Sequence, residues 1–347
     1  MAELNFPHGG NIYEVQRSYR KEVVDFSANI NPLGLSEKLK AEFRKCLSKI
    51  IHYPDPEAKE LIKVIADYWE ISEDNILVGN GSTELIYLIA YAFKPKTAFI
   101  PVPTFSEYER ALNLVGSKIK FLPLHQDDFQ LPEVPTGFDL SFIGNPNNPT
   151  GNLLLKERKF ALDKNKLNVI DEAFMDFLPE EKSHTFIGEA IKNKKIIVLR
   201  SFTKFFALPG LRIGYLIAHR DLIRDLKSFQ PPWSVNTVAQ LLASVALKDQ
   251  DYINRTRALI TAERDYLFQE LSQIAALKPY PSVANFLLVE ILAPRITAFF
   301  LRESLLLQDI LIRDGSNFRG LNEKYFRVAV RSHKENRKLI KELKRWL

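Results

Sequence analysis

Residues 201–212 read Ser201-Phe-Thr-Lys204-Phe-Phe-Ala-Leu-Pro-Gly-Leu-Arg212, which places one lysine among apolar side chains. Apolar, β-branched runs flank this segment, from Lys195 to Leu199 and from Ile213 to Ala218, so it connects two predicted strands. Burial lowers the pKa of a lysine, and a neutral amine attacks carbonyl carbons. Lys204 is therefore a candidate nucleophile toward an aldehyde cofactor, although most loop lysines have no such role.

Short apolar runs alternate with helical or loop segments on both sides of this lysine. The predicted strands are the run that begins at Asn75, then Thr97 to Pro103, Ser117 to Leu124, Asp139 to Gly144, Leu167 to Ile170, Lys195 to Leu199 and Ile213 to Ala218. This alternation predicts an α/β fold with a mostly parallel sheet that is buried on both faces. In such folds, ligands bind beyond the carboxyl ends of the strands.

Candidate functional residues follow five of the predicted strands. They are Gly81, Ser82 and Thr83, then Phe105, Asn148, Asp171, and finally Ser201 and Lys204. Taken singly, each has an ordinary explanation, because hydroxyls cap helices, Asn-Pro-Gly segments form turns and carboxylates form ion pairs. Taken together, they supply phosphate donors at a helix N-terminus, an aromatic ring for stacking, an amide, and a carboxylate for a ring nitrogen.

Length and composition are typical of a globular protein with two domains. The chain has 347 residues, of which 46% are hydrophobic and 26% charged. Changes in the sequence pattern predict an N-terminal arm (1–35), a large domain (36–245) and a small α+β domain (246–347). No apolar run approaches the roughly 20 residues of a membrane span, and the N-terminus lacks a signal-peptide pattern. These features predict a cytoplasmic protein with no membrane partner.

Cysteine content and charge exclude further classes of function. The single cysteine, Cys46, rules out internal disulfides and a cysteine cluster for metal, so we predict no metal site. The net charge is +6, and residues 331–347 hold seven basic residues against two acidic ones. Apolar positions in this segment fit an amphipathic helix with a solvated basic face. We predict no nucleic-acid partner, because no recognition motif accompanies the charge.

Three motifs, in this order and spacing, resemble the fold type I pyridoxal-phosphate enzymes of the histidinol-phosphate aminotransferase branch. They are Asn145-Pro-Asn-Asn-Pro-Thr-Gly151, Asp171-Glu-Ala-Phe174 and the segment from Ser201 to Tyr215. Four more segments resemble the threonine-phosphate decarboxylases of cobalamin biosynthesis, a group within that branch. These are His8 to Asn11, Asp25 to Gly34, Phe105 to Arg110 and Pro232 to Asn236. The resemblance covers nearly the whole chain and implies pyridoxal phosphate as cofactor, a seven-stranded sheet and a homodimer with shared active sites.

The resemblance implies a role for each matching cofactor residue. Lys204 would bind the cofactor covalently and return a proton to the substrate carbon, Asp171 would pair with the pyridine nitrogen, and Asn148 would bind the ring hydroxyl oxygen. Phe105 would stack on the ring. The cofactor phosphate would be held by Gly81, Ser82, Thr83, Ser201 and Arg212, together with Tyr53 of the partner subunit.

Arginines in the C-terminal region are candidates for the substrate site. Arginines among valine and phenylalanine need an anionic partner, and the guanidinium fork suits carboxylate or phosphate. The resemblance implies that Arg327 binds the substrate α-carboxylate, while Arg313, His8 and Asn29 bind a substrate phosphate. The two-residue period of a strand predicts that Arg331 points to the same side as Arg327.

The reaction is less constrained than the cofactor. We favour decarboxylation of L-threonine O-3-phosphate to (R)-1-amino-2-propanol O-2-phosphate and CO2, because Phe174 replaces the tyrosine that the aminotransferase pattern carries. The alternatives are a histidinol-phosphate aminotransferase and a non-catalytic regulator that binds pyridoxal phosphate, although Asp171 and Lys204 argue against the regulator. A pyridoxal enzyme cleaves the bond at the α-carbon that stands perpendicular to the ring, and the sequence does not fix that angle.

Overall fold

The structure is a computed structural model that describes residues 8–134, 136–156, 162–163 and 165–347. Its helices are α1 (Ile12–Tyr19), α2 (Glu37–Cys46), α3 (Lys59–Trp69), α4 (Gly81–Phe93), α5 (Ser106–Leu114), α6 (Glu181–His184), α7 (Ile187–Ala190), α8 (Arg220–Lys227), α9 (Thr237–Leu247), α10 (Gln250–Ser272), α11 (Ala298–Leu306) and α12 (His333–Trp346). Its strands are β1 (Val24–Asp25), β2 (Ile76–Gly79), β3 (Thr97–Val102), β4 (Lys118–Pro123), β5 (Leu140–Gly144), β6 (Leu167–Asp171), β7 (Ile196–Ser201), β8 (Gly214–Ala218), β9 (Leu277–Pro279), β10 (Phe286–Ile291), β11 (Ile310–Leu311), β12 (Arg313–Asp314) and β13 (Tyr325–Ala329).

The largest sheet among the described residues has seven strands in the order β2-β8-β7-β6-β5-β3-β4. Strands β3 to β7 run parallel, whereas β8 runs antiparallel to both of its neighbours. The connection from β7 to β8 contains only a short 3-10 turn (Pro209–Leu211), and a parallel crossover needs a longer segment, usually a helix. The prediction of an α/β fold with a mostly parallel sheet is confirmed.

Both faces of this sheet are buried, as its continuous apolar strands predict. Along β7, Ile197 and Leu199 pack in a cluster with α4, α5 and α8, while Ile196 and Val198 face the opposite side. All six residues of β7 are buried. The strand ends are therefore held rigidly, and the side chains that follow them have fixed positions.

The C-terminal part contains a smaller antiparallel sheet in the order β12-β13-β10-β9. Helices α10 and α12 bury apolar side chains against it, among them Ile260, Leu267 and Leu339. The predicted α+β arrangement and the basic C-terminal helix are both present, and α12 begins with a capping box formed by Ser332 and Glu335. The boundary between residues 245 and 246 stays a prediction. Among the described residues, no helix is long and apolar enough to cross a membrane.

The N-terminal arm has more regular structure than its composition suggests. The Asn11 side chain caps α1 by accepting from the Glu14 amide, and Val15 packs on Leu306 and Leu311. Strand β1 pairs in parallel with β11. The sequence analysis predicted no element here, because α1 depends on its cap and on distant apolar partners. Residues 1–7 of the predicted arm lie outside the described residues.

The end of the arm is tied to the segment that carries Lys204. The buried Asn31 amide donates to the Phe205 carbonyl at 2.7 Å, to Tyr252 Oη at 2.9 Å and to Thr256 Oγ1 at 2.8 Å. The Asn31 backbone N–H also donates to the Lys204 carbonyl at 3.1 Å. A buried polar group with several partners fixes local geometry, so the arm helps to position the lysine.

Candidate active site

A cavity of about 200 Å³ lies beyond the carboxyl ends of β5, β6 and β7, where the sequence placed the ligand site. The predicted residues that line it are His8, Asn29, Ser82, Thr83, Phe105, Asn148, Asp171, Ser201, Lys204, Arg212, Arg313 and Arg327. Gly81 and Tyr53 do not line it. The structure thus brings together the residues predicted for the cofactor and those predicted for the substrate.

Lys204 is an amine whose surroundings disfavour its charge. Burial, together with the positive charges of Arg327 and Arg212, lowers the pKa of Lys204 to about 8, while Asp171 and Asp25 oppose the shift. The unprotonated fraction of this amine near neutral pH is therefore much larger than that of an exposed lysine. Such an amine can attack an aldehyde carbon.

Asp171 ends β6 with both carboxylate oxygens hydrogen-bonded. Its Oδ2 accepts from the Tyr108 hydroxyl at 2.7 Å, and its Oδ1 accepts from the Ala173 amide at 3.0 Å. Burial raises the pKa of Asp171, and these two hydrogen bonds oppose the rise. The carboxylate is suited to stabilise a proton on a facing ring nitrogen.

Tyr108 is a site residue to which the sequence analysis assigned no role. It lies one helical turn after Phe105 on α5, stacks on Phe142 with ring centroids 5.1 Å apart, and is 2% exposed. A tyrosine three residues after the predicted stacking ring shares its helix face, and this spacing was the signal available in the sequence.

Arg327 connects the cavity to the arm. Its Nη1 donates to Asn148 Oδ1 and its Nη2 donates to the Ser27 carbonyl at 2.8 Å. Burial, together with the charge of Arg313, lowers the pKa of Arg327 to about 9. The buried Nε has no partner among the described residues. An unsatisfied donor on a buried cation that lines the cavity indicates an anionic ligand.

The prediction that Arg331 points to the same side as Arg327 is wrong, because Arg327 lines the cavity and Arg331 does not. Strand β13 ends at Ala329, so the two-residue period no longer applies at position 331. The Arg331 guanidinium donates instead to Glu335 in α12, at 2.9 Å.

A second anion subsite lies at the N-terminus of α4. Ser82 and Thr83 open this helix, and its free amides attract negative charge. Arg212 approaches so closely that a Cβ at Gly81 would lie 2.5 Å from its Nη2. Gly81 has φ +79°, a conformation that favours glycine, and without a Cβ it leaves room for Arg212, although it does not line the cavity. Ser201 completes this group, with its Oγ 2.7 Å from Thr203 Oγ1.

The third predicted subsite holds His8, Asn29 and Arg313. Arg313 donates to Asn317 Oδ1 at 2.6 Å and lies over the Phe318 ring, and burial lowers its pKa to about 10. Asn29 is buried, and its Oδ1 has no partner among the described residues. With Arg327, the cavity presents two buried guanidinium groups, which suits a ligand with two anionic ends.

Comparison with known proteins agrees with this geometry. Residues 21–343 match the family described as aminotransferase class I and II. The chain belongs to this family. The match spans most of the chain and includes the seven-stranded sheet, the C-terminal sheet and all the residues that line the cavity except His8 and Gly9.

Several members of the aminotransferase class I and II family resemble the chain over nearly its full length. The threonine-phosphate decarboxylase of Salmonella typhimurium is 40% identical, over 99% of this chain and 97% of that protein. The histidinol-phosphate aminotransferase of Clostridium novyi is 34% identical, over 95% of this chain and 97% of that protein. The crystal structure of L-threonine-O-3-phosphate decarboxylase from Porphyromonas gingivalis superposes with a TM-score of 0.85 and 29% identity, covering 92% of this chain and 98% of that one.

Proposed function

We propose that this protein is a pyridoxal-phosphate-dependent decarboxylase of L-threonine O-3-phosphate. The observation that carries the proposal is the pair of buried arginines, Arg313 and Arg327, in the same cavity as Lys204. A substrate with a carboxylate at one end and a phosphate at the other satisfies both. Relatives named threonine-phosphate decarboxylase supply the reaction.

The residues present fit pyridoxal phosphate. Lys204 supplies the amine for its aldehyde, the N-terminus of α4 and Arg212 supply the phosphate site, and Asp171 supplies the partner for its ring nitrogen. Phe105 and Ala173 line the space that the ring requires. When bound, the cofactor stabilises the electron pair that remains on the α-carbon after CO2 leaves.

The protein residues have separate tasks in this reaction. Arg327 would hold the substrate carboxylate. Asn148, which accepts from Arg327, orients the guanidinium, and its amide N–H would be free for the ring hydroxyl oxygen. Asp171 would keep the ring nitrogen protonated. After the bond between the α-carbon and the carboxylate breaks, Lys204 delivers a proton to the α-carbon, which yields the amine product.

Histidinol-phosphate aminotransferase is the second candidate, because relatives of that name are 30%, 31% and 34% identical to the chain. At position 174 the chain carries phenylalanine, which lies edge-on against Phe286 with ring centroids 4.9 Å apart and offers no hydroxyl. The loss of that hydroxyl favours the decarboxylase. The non-catalytic regulator has no support, since Lys204 and Asp171 both line the cavity.

The two enzymes are separated by their products. Protein loaded with pyridoxal phosphate is incubated with L-threonine O-3-phosphate, and CO2 and aminopropanol phosphate are measured. A parallel sample receives histidinol phosphate and 2-oxoglutarate. We expect CO2 in the first sample and no amino-group transfer in the second. Transfer without CO2 would make the protein an aminotransferase.

We also propose that the protein is a cytoplasmic homodimer with shared active sites. Tyr53 is 80% exposed, stacks on Trp233 and lies outside the cavity of its own chain. Exposed apolar side chains precede it on α2 and in the following turn, at Phe43, Leu47, Ile50 and Ile51, and such patches mark interfaces. Sedimentation equilibrium should give twice the chain mass, and Tyr53→Phe should weaken cofactor binding. A monomer with full cofactor affinity would contradict this proposal.

Incorporation of the cofactor should depend on pH through Lys204. Only the unprotonated amine attacks the aldehyde. The rate of covalent attachment should therefore rise with pH, reach half of its maximum near pH 8, and level off at higher pH. Arg327→Met removes a positive charge that lowers this pKa, and should move the midpoint to higher pH. The exposed Arg345→Met is the control. An unchanged midpoint in Arg327→Met would show that the arginine does not act on Lys204.

A further inference from the structure

Glu107 is a buried carboxylate that lies close to the cavity without lining it. It occupies the first turn of α5, two residues after Phe105, and its side chain is 7% exposed. Its Oε2 accepts from the Tyr87 hydroxyl at 2.5 Å, and its Oε1 lies 2.7 Å from His8 Nε2. The nearest other charge is Arg110, with Nη1 4.0 Å from Oε1. These contacts and the helix N-terminus stabilise the ionised carboxylate.

The contact with Glu107 determines how His8 can bind a ligand. A carboxylate only accepts, so His8 Nε2 carries the proton that is donated to Glu107. A phosphate accepts hydrogen bonds, so the form of His8 that binds it is the imidazolium, which carries a second proton on Nδ1 for a ligand in the cavity that His8 lines. The ring also lies against Phe105, with centroids 5.4 Å apart. Glu107 thus holds Nε2–H and sets the orientation of the imidazole.

The segment after His8 is anchored to Ser27 and packs against Arg313. The Gly10 amide donates to Ser27 Oγ at 2.7 Å. A Cβ at Gly9 would lie 2.1 Å from the Ser27 carbonyl oxygen and 3.3 Å from Arg313 Cδ, so only glycine allows this approach. The arm therefore contacts Ser27 and Arg313 through Gly9 and Gly10. The hydrogen bond from His8 to Glu107 attaches it to α5.

We propose that Glu107 is a positioning residue for the phosphate end of the substrate. It holds His8 on the cavity wall, so that His8 and Arg313 bind a phosphate monoester together, and an amino acid without phosphate gains nothing from this arrangement. The inference rests on the proposed function, since it assigns the phosphate of that substrate to this subsite. Glu107 acts through His8 and has no contact with the reacting atoms.

The test measures steady-state kinetics on the full-length enzyme loaded with pyridoxal phosphate. Glu107→Gln should raise KM for L-threonine O-3-phosphate about tenfold, the effect of losing a charge-assisted hydrogen bond, with kcat nearly unchanged. The inhibition constant of inorganic phosphate should rise by the same factor, and cofactor affinity should not change. His8→Ala should reproduce the loss, and the double variant should lose no more than either single variant, because the two residues act as one unit.

Glu109→Gln is the matched control, because it removes a carboxylate from the same helical turn whose partner is Arg319. It should leave the phosphate inhibition constant unchanged. If Glu107→Gln does not fold, Glu107→Asp takes its place, since it keeps the charge but withdraws it by one methylene group, and its KM should lie between those of wild type and His8→Ala.

The outcomes separate the two proposals. A wild-type enzyme that releases no CO2 from threonine phosphate contradicts the proposed function. An active wild type whose KM and phosphate inhibition are unaffected by the Glu107 variants, or additive losses in the double variant, overturns the role of Glu107. A loss of cofactor affinity equal to the rise in KM would also overturn it, because Glu107 would then support the fold rather than the phosphate subsite.

Discussion

Lys204→Ala should lose turnover by at least about 10³-fold, because one side chain supplies both the covalent attachment and the returning proton. Borohydride reduction of the wild-type protein loaded with pyridoxal phosphate should fix the cofactor to the peptide that contains residue 204. In the variant, no lysine peptide should carry the label. Peptide mass spectrometry and CO2 release measure the two effects.

Lys195→Ala is the control for this experiment. Lys195 is exposed just before β7 and does not line the cavity, so its removal should leave labelling and turnover unchanged. A label on a different lysine, or turnover in Lys204→Ala close to wild type, would show that the cofactor lysine is elsewhere. We expect Lys204→Ala to fold normally, since alanine removes the buried amine of Lys204 without adding volume.

Asp171→Asn should lower kcat by about 10²–10³-fold, the loss that follows removal of one preorganised electrostatic contact. An amide has nearly the same shape, and its oxygen can still accept from Tyr108, so the fold should persist. It carries no negative charge and does not keep the ring nitrogen protonated. The cofactor should therefore still bind to Lys204, while cleavage of the bond between the α-carbon and the carboxylate slows.

Tyr108→Phe is the graded comparison. It removes one hydrogen bond to the Asp171 carboxylate, and because that bond lowers the pKa of Asp171, the pKa should rise. We expect kcat to fall by about tenfold. The pKa of the ring nitrogen of the bound cofactor, measured by spectrophotometric titration, should change in the same order, more in Asp171→Asn than in Tyr108→Phe. Wild-type kcat in Asp171→Asn would mean that the carboxylate has no part in the reaction.

The large sheet could be predicted closely from the sequence. Its strands are continuous apolar runs buried on both faces, and each predicted run overlaps an observed strand, such as Leu167–Asp171 and Ile196–Ser201. Local composition was sufficient to predict these strands, because each apolar run ends where turn-forming residues begin. The cavity residues that lie at or just after the ends of these strands, such as Phe105, Asp171 and Lys204, were predictable for the same reason.

Features that depend on distant contacts were not predictable. Helix α1 depends on Val15 packing against Leu306 and Leu311, almost 300 residues away in the chain. Glu107 and Tyr108 gain significance only through His8 and Asp171, which the fold brings to them. Arg331 was misplaced because the strand period was extended two residues beyond the observed end of β13.

Decarboxylation of a phosphorylated amino acid can be followed with L-threonine O-3-phosphate that is labelled with ¹³C at the carboxyl carbon. We expect labelled CO2 and unlabelled 1-amino-2-propanol O-2-phosphate in equal amounts, with the cofactor still in its aldehyde form. Label retained in a 2-oxo acid, with the cofactor converted to its amine form, would show that the enzyme is an aminotransferase instead.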